Sequence, residues 1–296
     1  MKEFNLEKIE DLSFMFAYSD IREININEMK TEKAKNMSHM FYGSLIRKIE
    51  LNNLNIKNVV DISYMFSHCE YLTSIDLSGW GSGTEHVTTM SGMFQNCLSL
   101  KSINLYGIKT SNVIDMSHMF DNVYNINNIQ LSRLDTSNVK NMSYMFAYCK
   151  NLNYLDLSNF VTDKVEDMSY MFSNCRNIKS LDIKNFKTEK VLDMSNMFQS
   201  LVLLETLDLE SFNTPEVKNM ESMFEECEAL KEIKFSSKFD TKNVLNMEKM
   251  FLSCSSLPIL NLTYFSTRNV QSMRQMFANC YKLKTIILNQ LLKQMK

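Results

Sequence analysis

The chain is poor in the residues that interrupt regular structure, with only 6 Gly and 2 Pro among 296 residues. That excludes a collagen-like chain or a Pro/Gly-rich low-complexity one. No run of eighteen apolar residues occurs, so no segment reads as a transmembrane helix. A formal charge of −2 and a pI near 6.1 remove the basic footprint of a nucleic-acid binder. No glycine-rich phosphate loop, Cys-x-x-Cys pair or other cofactor motif is present. The histidines, His39, His68, His86 and His118, have no companion nucleophile or carboxylate at a meaningful spacing. The opening residues MKEFNLEKIEDLSFMF lack the apolar core of a secretory signal. The compartment is therefore read as cytoplasmic unless an export segment lies outside this chain.

What the chain has instead is repetition. Met-Phe recurs at one phase eleven times, at Phe16, Phe41, Phe66, Phe94, Phe120, Phe146, Phe172, Phe198, Phe224, Phe251 and Phe277, in steps of 25 to 28 residues. A period of that length means stacked coils, each too small to fold alone. The expectation is one continuous solenoid over residues 1–296, with 288–296 as a C-terminal cap. Its fold class is a leucine-rich-repeat-like repeat solenoid of short parallel β-strands joined by tight or single-turn helical connections.

One unit runs from Val165 to Thr188, with inward candidates Val165, Met168, Met171, Phe172, Cys175, Ile178, Leu181, Ile183 and Phe186. The alternation at Leu152, Leu155 and Leu157 predicts a short strand. Ser-x-Met-Phe-x-x-Cys, with apolar residues three and four apart, predicts a tight turn or one helical turn. The Asp or Asn opening it, such as Asp61, Asp115 or Asn141, suits a helix N-cap. The 7 cysteines share one slot that elsewhere holds Ser19, Ser44, Val123 and Leu201, so they read as free packing residues. Trp80 takes the slot of Phe160 and Phe186 beside a glycine-containing insertion and reads as a core aromatic.

The units DTSNVKNMSYMFAYCKNLNYLDLSNF (Asp135 to Phe160) and VTDKVEDMSYMFSNCRNIKSLDIKNF (Val161 to Phe186) resemble the 26-residue repeat of bacterial surface proteins, the BspA-like leucine-rich-repeat group. The resemblance covers essentially the whole chain. It implies a leucine-rich-repeat solenoid displayed on the cell surface or secreted, with a role in adhesion or protein contact. It implies no catalytic residue, and no cofactor or metal is expected from the residues themselves.

Two columns invite a function. Asp156, Asp182 and Asp208 stack in consecutive coils, but the glycine-rich repeat of calcium-binding β-rolls is missing. They read as a solvated ladder rather than a cation site. The residue between Ser and Met reads Phe14, His39, Tyr64, Gly92, His118, Tyr144 and Tyr170, then Asn196, Ser222, Lys249 and Gln275. Phe14, His39, Tyr64, His118, Tyr144 and Tyr170 form the candidate partner-contact column, against the alternative of a half-covered ladder whose rings shield one another. The reading is a non-enzymatic scaffold for a protein or glycan. It is expected to be monomeric, and its alternative is a structural component that associates end to end.

Overall fold

In the computed structural model, residues 6–26, 29–51 and 54–288 are described, and they build a β-solenoid. Coils are numbered here by their repeat phenylalanine, from Phe16 in coil 1 to Phe277 in coil 11. These rings form one uninterrupted stack, with centroids 5.3–6.1 Å apart and planes within 2–13° of parallel. Both methionines of the motif are buried beside them in coils 2 and 4 to 10, and in coil 3 Ile62 and Met65 are. Apolar burial in this spine drives folding, because a single coil cannot cover its own phenylalanine.

The strand column consists of β1 (Glu23–Asn25), β2 (Lys48–Glu50), β3 (Ser74–Asp76), β4 (Ser102–Asn104), β5 (Thr206–Leu209), β6 (Glu232–Phe235), β7 (Ile259–Leu262) and β8 (Thr285–Leu288). They pair in parallel as β1–β2, β3–β4, β5–β6 and β7–β8. The strand expected over Leu152, Leu155 and Leu157 is absent; Tyr154 alone bridges, to Asn128. The register supplies a reason. Paired strands set Asn25 against Glu50, Asp76 against Asn104, and Asp208 against Lys234. The sequence would instead set Glu50 against Asp76, and Asp156 against Asp182 and Asp208, and like charges directly opposite one another oppose pairing. The ladder is open at those places, and it is also open after β4 and between β6 and β7, where no like charges meet, so charge accounts for only part of the pattern.

A second ladder never breaks. Parallel bridges link Asp11, Asn36, Asp61, Thr89, Asp115, Asn141, Asp167, Asp193, Asn219, Asn246 and Ser272 in sequence. Of the two alternatives for the segment that follows each of these residues, the tight turn forms and the helical turn does not. In coil 6 the N–H groups of Met145, Ala147 and Cys149 donate to the carbonyls three residues back, at 3.2, 3.0 and 3.3 Å. The alternating donors, Tyr144, Phe146 and Tyr148, donate to Ser169, Met171 and Ser173 of coil 7, at 2.9, 3.0 and 2.8 Å. The segment is thus a ribbon of β-turns whose alternate donors serve the neighbouring coil. The acidic or amide residue is not a helix cap but an Asx-turn acceptor. Asp61 Oδ1, for example, takes the Ser63 N–H at 2.8 Å.

At the opposite corner, buried threonines clamp coil to coil. Thr136 Oγ1 donates to Val161 O at 2.9 Å and accepts the Val161 N–H at 2.8 Å. Thr110, Thr162, Thr188 and Thr241 do the same to Asp135, Lys187, Asn213 and Ser266. Trp80 is core, as expected, and its Nε1 donates to Leu51 O at 3.2 Å. It lies within a 3-10 segment, Ser78–Thr84, kinked at Gly81. Of the inward candidates, Leu181 alone is only half-buried. The cap expected at 288–296 lies, beyond Leu288, outside the described residues.

Candidate functional site

The ribbon of turns carries the candidate column, and its backbone fixes where the side chains stand. Every coil places two residues at positive φ, four apart, each at the third position of a turn. In coil 6 these are Tyr144 and Tyr148, both at φ 58°. The first of each pair is the candidate column; the second reads Tyr18, Gly43, His68, Asn96, Asn122, Tyr148, Asn174, Ser200, Glu226, Ser253 and Asn279. An L-residue in the left-handed region costs about 1–2 kcal/mol, offset here because the flip directs the N–H to the next coil. The recurrence of Asn at 96, 122, 174 and 279 in the second column, with Gly43 and His68, is the sequence signal of this conformation.

The candidate residues form two stacks. Phe14 lies 4.4 Å from His39, and His39 lies 5.0 Å from Tyr64. His118 lies 4.4 Å from Tyr144, and Tyr144 lies 4.3 Å from Tyr170. Gly92 separates the stacks and is covered by the Tyr64 ring. The candidate column is therefore arranged as a ladder whose rings cover one another's faces. Phe14 is 53% exposed, and His39, Tyr64, His118, Tyr144 and Tyr170 are half-buried. Farther along, Asn196 and Ser222 are buried, and no ring continues the stack.

Neighbouring polar groups hold the face in place. His118 Nδ1 meets Asp121 Oδ2 at 2.9 Å, and Gln95 Nε2 donates to the same oxygen at 2.9 Å. Asp121 is thus a carboxylate companion that the sequence reading did not assign to His118. Asn96 Nδ2 contacts His68 Nε2 at 3.0 Å. Burial lowers the pKa of His39 and Asp61 opposes this, while His39 Nδ1 is buried without a hydrogen-bond partner among the described residues. Burial also raises the pKa of Tyr144 and of Tyr170. The acidic group at Glu221, Glu225, Glu226 and Glu228 is tied in part to Gln199, Ser200 and Asn246.

The other columns resolve into structural roles. Asp156 accepts from the N–H and Oγ of Ser158 at 3.0 and 2.6 Å. Asp182 and Asp208 accept the N–H groups of Lys184 and Glu210 at 3.3 and 3.0 Å. All three border an open groove of about 640 Å³ that also includes Leu181, Lys184 and Lys234. Among the described residues, no three His, Cys, Asp or Glu side chains cluster to hold a metal ion. The cysteines are free, and each thiol donates to the carbonyl of the preceding coil's phenylalanine. Cys149, for example, lies 3.0 Å from Phe120 O, and Cys175 lies 2.9 Å from Phe146 O. No helix among the described residues is long and apolar enough to cross a membrane.

The solved structures similar to this chain are repeat proteins. A leucine rich cell surface protein from Faecalibacterium prausnitzii shares 17% identity over 94% of this chain and 82% of its own, with a TM-score of 0.38. A leucine-rich repeat protein from Bacteroides ovatus shares 17% identity over 92% of this chain and 77% of its own, with a TM-score of 0.42. One from Eubacterium ventriosum shares 16% identity over 94% and 70%, with a TM-score of 0.41. No curated protein matches the sequence. The family described as "Mycoplasma protein of unknown function, DUF285" matches over residues 1–106, 88–202 and 166–291. The chain belongs to that family, and its repeat is of the BspA-like leucine-rich type.

Proposed function

We propose that this protein is a non-enzymatic scaffold that holds a protein or glycan partner on its turn face, through Phe14, His39, Tyr64, His118, Tyr144 and Tyr170. It acts as one continuous solenoid over 1–296, displayed at the cell surface or secreted, and contributes to adhesion. The observation that carries the reading is the pair of ring stacks. Their rotamers are held by neighbours 4.3–5.0 Å away and by left-handed backbone, so a partner meets an ordered aromatic surface and little side-chain entropy is lost on binding. The non-enzymatic part is supported by the environment of the thiols, since Cys69, Cys97, Cys149, Cys175, Cys227 and Cys254 are buried and burial pushes their pKa values up, away from the reactive thiolate. The surface location is supported by the kinship of the repeat.

The test is a double variant, Tyr144→Ala with Tyr170→Ala, compared with the unaltered protein on panels of extracellular proteins and of glycans. Loss of a captured ligand with the fold retained by circular dichroism is the expected outcome. Unchanged binding removes the column from the site.

End-to-end association has its own observation. The strand β8 at the far end exposes Ile286, Ile287 and Leu288, and among the described residues it pairs only with β7. Light scattering across concentration separates the two readings, because a constant monomer mass eliminates assembly.

A further inference from the structure

The two histidines of the contact column differ in what stands three residues after them. Both sit in the left-handed region, His39 at φ 58° and His118 at φ 56°. Coil 5 places Asp121 after His118, where coil 2 places Tyr42 after His39. Asp121 is buried, and its Oδ2 lies 2.9 Å from His118 Nδ1 and 2.9 Å from Gln95 Nε2. Tyr42 instead meets the His39 ring at 5.4 Å, tilted by 44°, and His39 Nδ1 is left buried without a hydrogen-bond partner among the described residues.

A neutral imidazole carries its proton on one nitrogen, and a carboxylate only accepts. The hydrogen between His118 and Asp121 therefore belongs to Nδ1, and Nε2 keeps its lone pair. His39 has no acceptor at Nδ1, and an orphaned buried donor is a rarer defect than an orphaned acceptor. Its proton therefore belongs on Nε2. Neighbouring rings fix both planes: His118 lies 4.4 Å from Tyr144 with planes 12° apart, and His39 lies between Phe14 and Tyr64 at 4.4 and 5.0 Å. Among the described residues neither Nε2 has a hydrogen-bond partner, and neither is a buried atom.

We infer that Asp121 is a positioning residue of the contact column, fixing His118 as a hydrogen-bond acceptor at Nε2, while His39 stands in the same column as a donor. The inference rests on the interaction reading above and gives it a chemistry. The partner brings an O–H or N–H group to coil 5 and an acceptor to coil 2. A glycan hydroxyl and a protein amide both meet the first requirement, and the two panels above separate these sources. A carboxylate or sulfate at coil 5 does not meet it, because it would face a lone pair with Asp121 behind it.

The test is long-range ¹⁵N–¹H correlation NMR of the full chain, labelled at its 4 histidines, at pH 8, with signals assigned by His39→Gln and His118→Gln. His118 is expected as the Nδ1–H tautomer and His39 as the Nε2–H tautomer. In Asp121→Ala the His118 proton should move to Nε2, with Gln95 Nε2, 3.3 Å away, donating to the vacated Nδ1. His118 protonated on Nε2 or on both nitrogens in the unaltered chain overturns the assignment, whether or not the variant folds. A proton that stays on Nδ1 in folded Asp121→Ala overturns it as well. Carbethoxylation by diethyl pyrocarbonate, read by mass spectrometry, reports the free lone pair. His118 should be labelled faster than His39, and about tenfold more slowly in Asp121→Ala, the scale of one hydrogen bond to a charged group; a rate unchanged by the substitution counts against the role of Asp121. Neither readout needs a partner, so both are independent of the scaffold reading. Panel binding that is lost in Tyr144→Ala with Tyr170→Ala but kept in Asp121→Ala overturns the donor requirement and preserves the scaffold.

Discussion

The ring of Tyr64 occupies the space that a side chain on Gly92 would need: a Cβ at Gly92 would lie 2.2 Å from Tyr64 Cε1 and 2.3 Å from Cδ1. The same relationship recurs one column over, where Tyr18 Cδ1 would lie 2.9 Å from a Cβ on Gly43. In each case a tyrosine folds over a missing side chain in the following coil, and the glycine sits at positive φ.

Gly92→Ala is accordingly expected to cost about 2–4 kcal/mol, combining left-handed strain with displacement of a packed ring. In a Tyr64→Ala background the same change should cost only the strain, about 1–2 kcal/mol. A double-mutant cycle read by urea unfolding checks this. Additivity of the two changes would show that the ring and the glycine are independent.

Phe172 and Tyr170 lie two residues apart on the same ribbon, one inside the spine and one on the face. Phe172 is fully buried between Phe146 and Phe198, at 5.9 and 6.1 Å. Phe172→Ala should cost about 3–5 kcal/mol. Tyr170 shares one face with Tyr144 and is half-buried, so Tyr170→Ala should cost about 0.5–1.5 kcal/mol. Equal losses in thermal unfolding would contradict this division between core and face.

The period, the phenylalanine spine and the burial of Trp80 were legible in the sequence because side-chain polarity reports burial directly. Backbone hydrogen bonding leaves a fainter trace. Apolar residues three and four apart at Met168, Met171, Phe172 and Cys175 fit a helical turn as well as a turn ribbon. Only the left-handed column with its Asn96, Asn122 and Asn174 separates the two. The break in the strand ladder over these coils is readable in principle from Asp156, Asp182 and Asp208, whose mutual repulsion opposes pairing. Of the candidate site, the first column was visible from its aromatics. The second, with Tyr18 and Tyr148, was not, because its chemistry varies from coil to coil while its conformation does not.

The threonine clamp makes a sharper prediction than any apolar contact. Thr136→Val preserves shape and removes both bonds to Val161, leaving a part-buried N–H and C=O short of a partner. A loss of about 2–3 kcal/mol is expected, together with faster hydrogen exchange at the Val161 amide. Thr136→Ser, which keeps the hydroxyl, should retain most of the stability. A Val variant as stable as the Ser variant would mean that the hydroxyl contributes nothing.

The cysteine column links the spine to alkaline pH. Burial pushes the Cys175 and Cys227 thiols up to about 12 and Cys69 to about 11, from an ordinary value of 9.0. Below pH 9 the thiols are protonated in both folded and unfolded chains, so they contribute no pH dependence there. Between 9 and 12 only the folded chain keeps these protons, so stability falls as pH rises through that window. The urea midpoint should therefore be flat from pH 7.5 to 8.5 and decline above 9, and Cys175→Ser, which keeps the donor to Phe146 O without a thiol to ionise, should reduce the decline. At pH 8 the native protein should react slowly with a thiol-specific disulfide reagent, with the half-buried Cys280 reacting first and the remaining thiols titrating on unfolding. Native-state labelling as fast as in urea would show that the thiols are not held in the spine, and the assignment of the column to packing and carbonyl contact would fail with it.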